Sequence, residues 1–102
     1  MDLEDIFATN LQVRLIKIFL ENPSKIYSST ALARALSSSP SAVISRLKVL
    51  ERLGIVKGIR INRMKIYKLN QNNEAAKLLR EFYLKLKELQ NEKLKSGITL
   101  LD

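Results

Sequence analysis

Residues 37–58 read SSSPSAVISRLKVLERLGIVKG, and both ends of one helix are written into them. Ser39 is a good N-cap, because its hydroxyl can accept an otherwise unpaired backbone N–H. Pro40 suits the first turn, where its missing N–H costs nothing. Val43, Leu47 and Leu50 recur at helical spacing and predict one buried face. Gly54 supplies the left-handed residue that commonly ends a helix. The spacing therefore predicts a helix from Pro40 to about Leu53. The face opposite its apolar stripe carries Ser41, Ser45, Lys48 and Arg52. That is an unusual face for a purely structural helix, although a solvated basic surface is the alternative reading.

The flanking segments supply the rest. Leu11–Glu21 (LQVRLIKIFLE) has a wide apolar face and predicts a largely buried helix. Asn22-Pro23 ends it, since proline disfavours helix at the residue before it. Lys25-Ile26-Tyr27 reads as a short extended piece. Ser28 or Ser29 then caps a helix over Thr30–Leu36, with Leu32, Ala33 and Leu36 inward. Residues Ile55–Ile61 and Lys65–Leu69 read as two strands of a hairpin around Asn62-Arg63-Met64, with Asn62 suited to positive φ. Asn73 caps a long helix from Glu74 to about Ser96, stopped by Gly97. A short helical turn is also expected over Leu3–Phe7. The order is helix, helix, helix, hairpin, helix, with a short strand before the second helix. That is a mainly α chain with a small β-hairpin, an α+β winged helix-turn-helix with a long C-terminal helix. The length of 102 residues suits one core. Residues 1–72 form the winged unit, and residues 73–102 a C-terminal helix and short tail.

Residue supply narrows the function. The chain has neither Cys nor His, which removes disulfides, thiolate or imidazole zinc sites and a His-based triad. Its acids are scattered, and no acid–base constellation suggests an enzyme. We expect no metal and no cofactor. The acidic N-terminus is unlike a signal peptide, and LIKIFL, the most apolar patch, is far shorter than a membrane span. The expected location is the cytoplasm, in association with the nucleoid.

The formal net charge is +8, and one segment holds all of it. From Arg34 to Lys68 there are nine basic residues and a single acid, Glu51, whereas the remainder is neutral. Charge gathered on one supersecondary unit suggests a footprint for a polyanion.

The phrase VISRLKVLERLGIV resembles the recognition helix and first wing strand of small prokaryotic winged-helix transcription regulators of the ArsR and MarR kind. STALARAL is similar to their second helix, IYKL to their second wing strand, and LEDIFATNLQVRLIKIFLENP to the first helix of archaeal members. The resemblance covers roughly residues 3–70 and implies double-stranded DNA as the partner. Two departures matter. Metal sensors of the ArsR kind use Cys or His ligands, which this chain lacks. Ser37 stands where a glycine is usual between helices two and three, which predicts a different backbone conformation at that turn.

On this reading Ser41, Ser45 and Lys48 lie about one turn apart on a face for the major groove, where serine reads permissively and lysine reaches guanine or phosphate. Arg52 continues that face. Ile44 flanks it, either touching thymine methyls or packing in the core. Arg46 lies toward the other flank, in a backbone contact or an intramolecular ion pair. Ser39 and Ala42 belong to a helix N-terminus whose N–H groups suit a phosphate. The wing offers Arg60, Asn62, Arg63 and Lys65 for the backbone or minor groove. Ala75, Leu79, Phe82, Leu86 and Leu89 follow coiled-coil spacing, which points to a homodimer through the C-terminal helix. The same helix can instead fold back on its own domain or hold another protein, and its broad apolar face suggests that part of it packs on the first helix. Two other functions stay open: an architectural nucleoid protein with weak sequence preference, and a winged-helix protein-interaction module.

Overall fold

The computed structural model describes residues 10–100, and the side chains of residues 10–92. Among the described residues the order is α1 (Leu11–Glu21), β1 (Tyr27–Ser28), α2 (Ser29–Leu36), α3 (Pro40–Arg52), β2 (Val56–Ile61), β3 (Met64–Leu69) and α4 (Glu74–Leu100). The helical turn expected over Leu3–Phe7 lies outside them.

Each N-terminus is capped by a short polar side chain, as helix starts demand. Asn10 Oδ1 accepts the Val13 N–H at 2.9 Å, Ser28 Oγ the Ala31 N–H at 3.1 Å, and Asn73 Oδ1 the Ala76 N–H at 2.9 Å. Ser39 caps α3 with Pro40 in its first turn.

The C-terminal ends of α2 and α3 share one geometry. After α3, Gly54 takes φ 78°, its N–H donates to Glu51 O, and the Ile55 N–H donates to Leu50 O. After α2, Ser37 takes φ 51° and ψ 46°, and the Ser38 N–H donates to Ala33 O. Both are the left-handed cap that glycine favours. The different conformation expected from the missing glycine is therefore not found: Ser37 adopts the left-handed conformation itself, because the cap satisfies the last carbonyls of α2. A second correction concerns Gly97. It does not stop the last helix, which runs on to Leu100; one glycine costs a helix only about 1 kcal/mol, too little to force an end.

The strands form one antiparallel sheet in the order β1-β3-β2. The register pairs Ile61 with Met64 and Arg60 with Lys65, so the hairpin turns through Asn62 and Arg63 alone. Asn62 takes φ 56°, the left-handed value a two-residue turn needs at its first position. Met64, expected in the turn, belongs to β3.

Leu15, Phe19 and Leu20 of α1, Leu32 of α2, Val43, Leu47 and Leu50 of α3, and Val56 of β2 are fully buried. Burying such side chains stabilises the fold by about 1.5–3 kcal/mol each. The Tyr27 ring meets Phe19 edge-on at 5.3 Å, which fixes β1 against the core. Burial pushes the Tyr27 hydroxyl pKa up, with Glu21 adding to the rise and a hydrogen bond to Asn22 opposing it. Ala76, Tyr83 and Leu86 bring α4 into the same core. Arginines tie the helices further: Arg14 donates to Leu36 O at 3.2 Å, and Arg80 donates to Leu20 O at the end of α1.

Candidate nucleic-acid interface

The segment that holds the charge excess frames an open groove of about 880 Å³. It is lined by Ile44 and Lys48 of α3, by Ser28, Ser29 and Thr30 around the start of α2, and by Arg60 to Lys65 and Tyr67 of the hairpin. The sheet puts the hairpin there because β3 is held on one side by β1 and on the other by β2. On α3, Ser41, Ser45, Lys48 and Arg52 are all exposed, while Val43, Leu47 and Leu50 are buried behind them. The helical period thus delivers hydroxyls and cations outward while the apolar stripe anchors the helix.

Besides the shared core, an ion pair joins the hairpin to α3. Lys65 Nζ lies 2.9 Å from Glu51 Oε1, with both side chains about one-third exposed. The hydrogen bond to Glu51 raises the Lys65 pKa above the ordinary lysine value, against a smaller opposing effect of burial. The ammonium also stands 5.4 Å from the centre of the Tyr67 ring. Gly58 makes room for this arrangement: a Cβ there would come within 2.5 Å of Lys65 Cε and 2.6 Å of Glu51 Oε2.

No family model matches the sequence, and no curated protein matches it. Solved structures do share its fold. S. aureus MepR, in a complex with DNA, superposes with a TM-score of 0.66 at 23% identity, over 97% of this chain and 82% of that one. The adhesin competence repressor AdcR of Streptococcus pyogenes gives 0.61 at 25% identity, over 96% of this chain and 69% of that one. The transcriptional regulator BldR of Sulfolobus solfataricus gives 0.57 at 21%, over 97% and 77%. The fold is that of winged-helix transcriptional regulators. By position in that fold, α3 stands where winged-helix proteins carry the recognition helix, and β2–β3 where they carry the wing.

The winged-helix frame shows where each expected residue sits. Lys48, Arg60, Asn62, Arg63 and Lys65 are brought together around the groove. Ile44 joins them: it is half-buried and lines the groove rather than sitting among the core residues. Lys65, however, is turned onto Glu51, so it is no free cation of the wing. Ala42 and Arg46 line a separate depression against Asn10, Leu11, Gln12, Val13 and Ile16, on the far side of the recognition helix. Of the N–H groups expected to suit a phosphate, that of Ala42 is taken by the helix's own cap. Ser39 Oγ accepts the Ala42 N–H at 3.3 Å, Ser39 O accepts the Val43 N–H at 3.1 Å, and Pro40 has none. Ser39 Oγ also lies 3.4 Å from Ser41 Oγ.

The groove also takes in Ser28, Ser29 and Thr30, beyond the capping role their residue types suggest; three consecutive hydroxyls at a helix start are the available signal. Ile61 and Met64 were not anticipated among the groove residues. On the last helix, the five-residue seam divides. Leu86 is buried in the domain's own core and Leu79 packs against it. Ala75, Phe82 and Leu89 are exposed, together with Leu78 and Leu84.

Proposed function

We propose that the chain regulates transcription by binding duplex DNA, with the recognition helix in the major groove and the wing on the backbone or in the minor groove. The observation that carries this is the basic groove lined by Lys48 of α3 and by Arg60 and Arg63 of the hairpin. Ser41, Ser45 and Lys48 face bases, and Arg52, Arg60 and Arg63 face phosphates. The MepR complex supports the reading, because a protein of the same fold is bound to DNA there.

In this proposal residues 1–72 bind DNA and residues 73–102 join two copies. Leu78, Phe82 and Leu89 share one exposed side of α4, with Ala75 near its start. They are the seam for a homodimer, once Leu79 and Leu86 are assigned to the domain's own core. A two-fold dimer presents two recognition helices to one side of a palindromic site. Such a protein works in the cytoplasm, on the nucleoid. An architectural role is favoured instead if small serines, rather than large polar readers, leave sequence preference weak.

Fluorescence anisotropy of a mixed-sequence duplex, titrated at several salt concentrations, tests the proposal. Each neutralised phosphate contributes about −0.9 to the slope of log K against log salt. Arg52, Arg60 and Arg63 together predict a slope of about −3 per protomer. Absence of binding at low salt would remove DNA as the partner. A specific-to-non-specific ratio near one would favour the architectural role.

A further inference from the structure

The tip of the wing is apolar where its surroundings are cationic. Ile61 and Met64 form the last cross-strand pair before the turn, and they are 54% and 60% exposed. Ile59 and Ile66 form a second pair, two residues further from the tip. Paired residues share a sheet face and neighbours along a strand alternate, so these four lie on one face while Arg60 and Lys65 lie on the other. Arg63 stands in the turn between Ile61 and Met64, and all three reach the groove that Lys48 faces.

Ile61 and Met64 place paired apolar surface at a hairpin tip, where neither water nor phosphate favours it. Charged or threonine side chains would hold the strands as well without exposing apolar surface. We propose that Ile61 and Met64 are a wedge that enters the minor groove and partly unstacks one base step. The inference rests on the DNA-binding reading above. Charge complementarity selects the occupant: Arg63 beside the wedge, Arg60 on the other face of the hairpin, and Lys48 on α3, all lining one groove, suit a polyanion whose interior is apolar. A duplex offers phosphates at its rim and stacked base faces within. Arg63 holds the rim while the apolar pair presses between bases, as apolar side chains do in proteins that kink DNA from the minor groove.

The consequence is a sequence preference made without hydrogen bonds to bases. Pyrimidine–purine steps, TA above all, unstack most easily. The wedge therefore favours a TA or CA step at a fixed distance from the bases under Ser41, Ser45 and Lys48.

Duplexes carrying 2-aminopurine at successive TA steps provide the test, because its fluorescence rises when it is unstacked. Wild-type protein is expected to raise it severalfold at one step in each half-site. The double variant Ile61→Thr/Met64→Thr, which keeps a good cross-strand pair, is expected to bind with the same salt slope, less tightly, and leave the fluorescence at the level of free DNA. Salt-sensitive binding by wild type with no rise at any step would overturn the wedge and leave DNA binding standing. No salt-sensitive binding would overturn both. A variant that melts at lower temperature yet still raises the fluorescence would show that the pair only stabilises the hairpin, and would overturn the wedge. Loss of binding to phosphatidylserine vesicles in the variant, with no fluorescence change on DNA in wild type, would assign the tip to a lipid surface and overturn it as well.

Discussion

Ser37 carries a backbone conformation that its side chain disfavours. For a residue with a Cβ the left-handed region costs about 1–2 kcal/mol, and Ser37 sits there at φ 51° because the Ser38 N–H must reach Ala33 O. Gly54 does the same after α3 without that cost. We expect Ser37→Gly to raise stability by about 0.5–1 kcal/mol, a gain of a few degrees in thermal melting, with DNA affinity unchanged. A drop in melting temperature would mean that the serine side chain stabilises the turn by more than its strain costs. Much at this scale was legible in the sequence. Caps, the Pro40 start and the positive φ of Asn62 all follow from residue type. The hand of Ser37 did not, because a cap that can be closed only one way overrides a residue's own preference. Nor could residue type show that Lys65 is held by Glu51, since that pairing exists only once the hairpin folds over α3.

Among the elements, the Glu51–Lys65 contact joins the wing to the recognition helix, and Gly58 leaves space for it. Partly exposed ion pairs contribute little to stability, about 0–1 kcal/mol, so its main effect is on aim and charge. Glu51→Gln should lower the melting temperature only slightly while releasing Lys65. DNA affinity should then rise and the salt slope steepen by up to about one phosphate contact. Lys65→Ala should weaken binding much less than Arg63→Ala, and equal losses would mean that Lys65 leaves Glu51 when DNA arrives. The sign of the pH effect follows from the raised Lys65 pKa. The contact's stability is fully present below the ordinary lysine value and is lost as pH rises through the folded-state value. The melting difference between wild type and Glu51→Gln should therefore be flat through neutral pH and vanish at strongly alkaline pH. Element types and order were legible from periodicity and caps. The division of α4 was not: Leu78, Leu79, Phe82, Tyr83, Leu84, Leu86 and Leu89 cover so much of the helix that spacing alone cannot say which stripe the domain claims.

For the whole molecule, that division decides how the dimer is tested. Leu86 is in the core, so Leu86→Glu would bury a carboxylate and unfold the domain rather than simply separate subunits. Leu89 is 57% exposed. Leu89→Glu is expected to give a folded monomer by sedimentation, with a wild-type melt at high dilution and weakened binding to a palindromic duplex. A persisting dimer would move the interface to another surface. The link between such an interface and the DNA-facing helix is already built. Asn70 donates from its backbone to Ile55 O at 2.8 Å and from its side chain to Gly54 O at 3.0 Å. Asn73, the cap of α4, donates to Leu53 O at 3.5 Å and would collide with any Cβ on Gly54. The end of α3 and the beginning of α4 are thus joined by hydrogen bonds and close contact. In the proposed homodimer that joint would be the pivot of a caliper: the angle between the two long helices would be carried to the jaws and would set the separation of the half-sites.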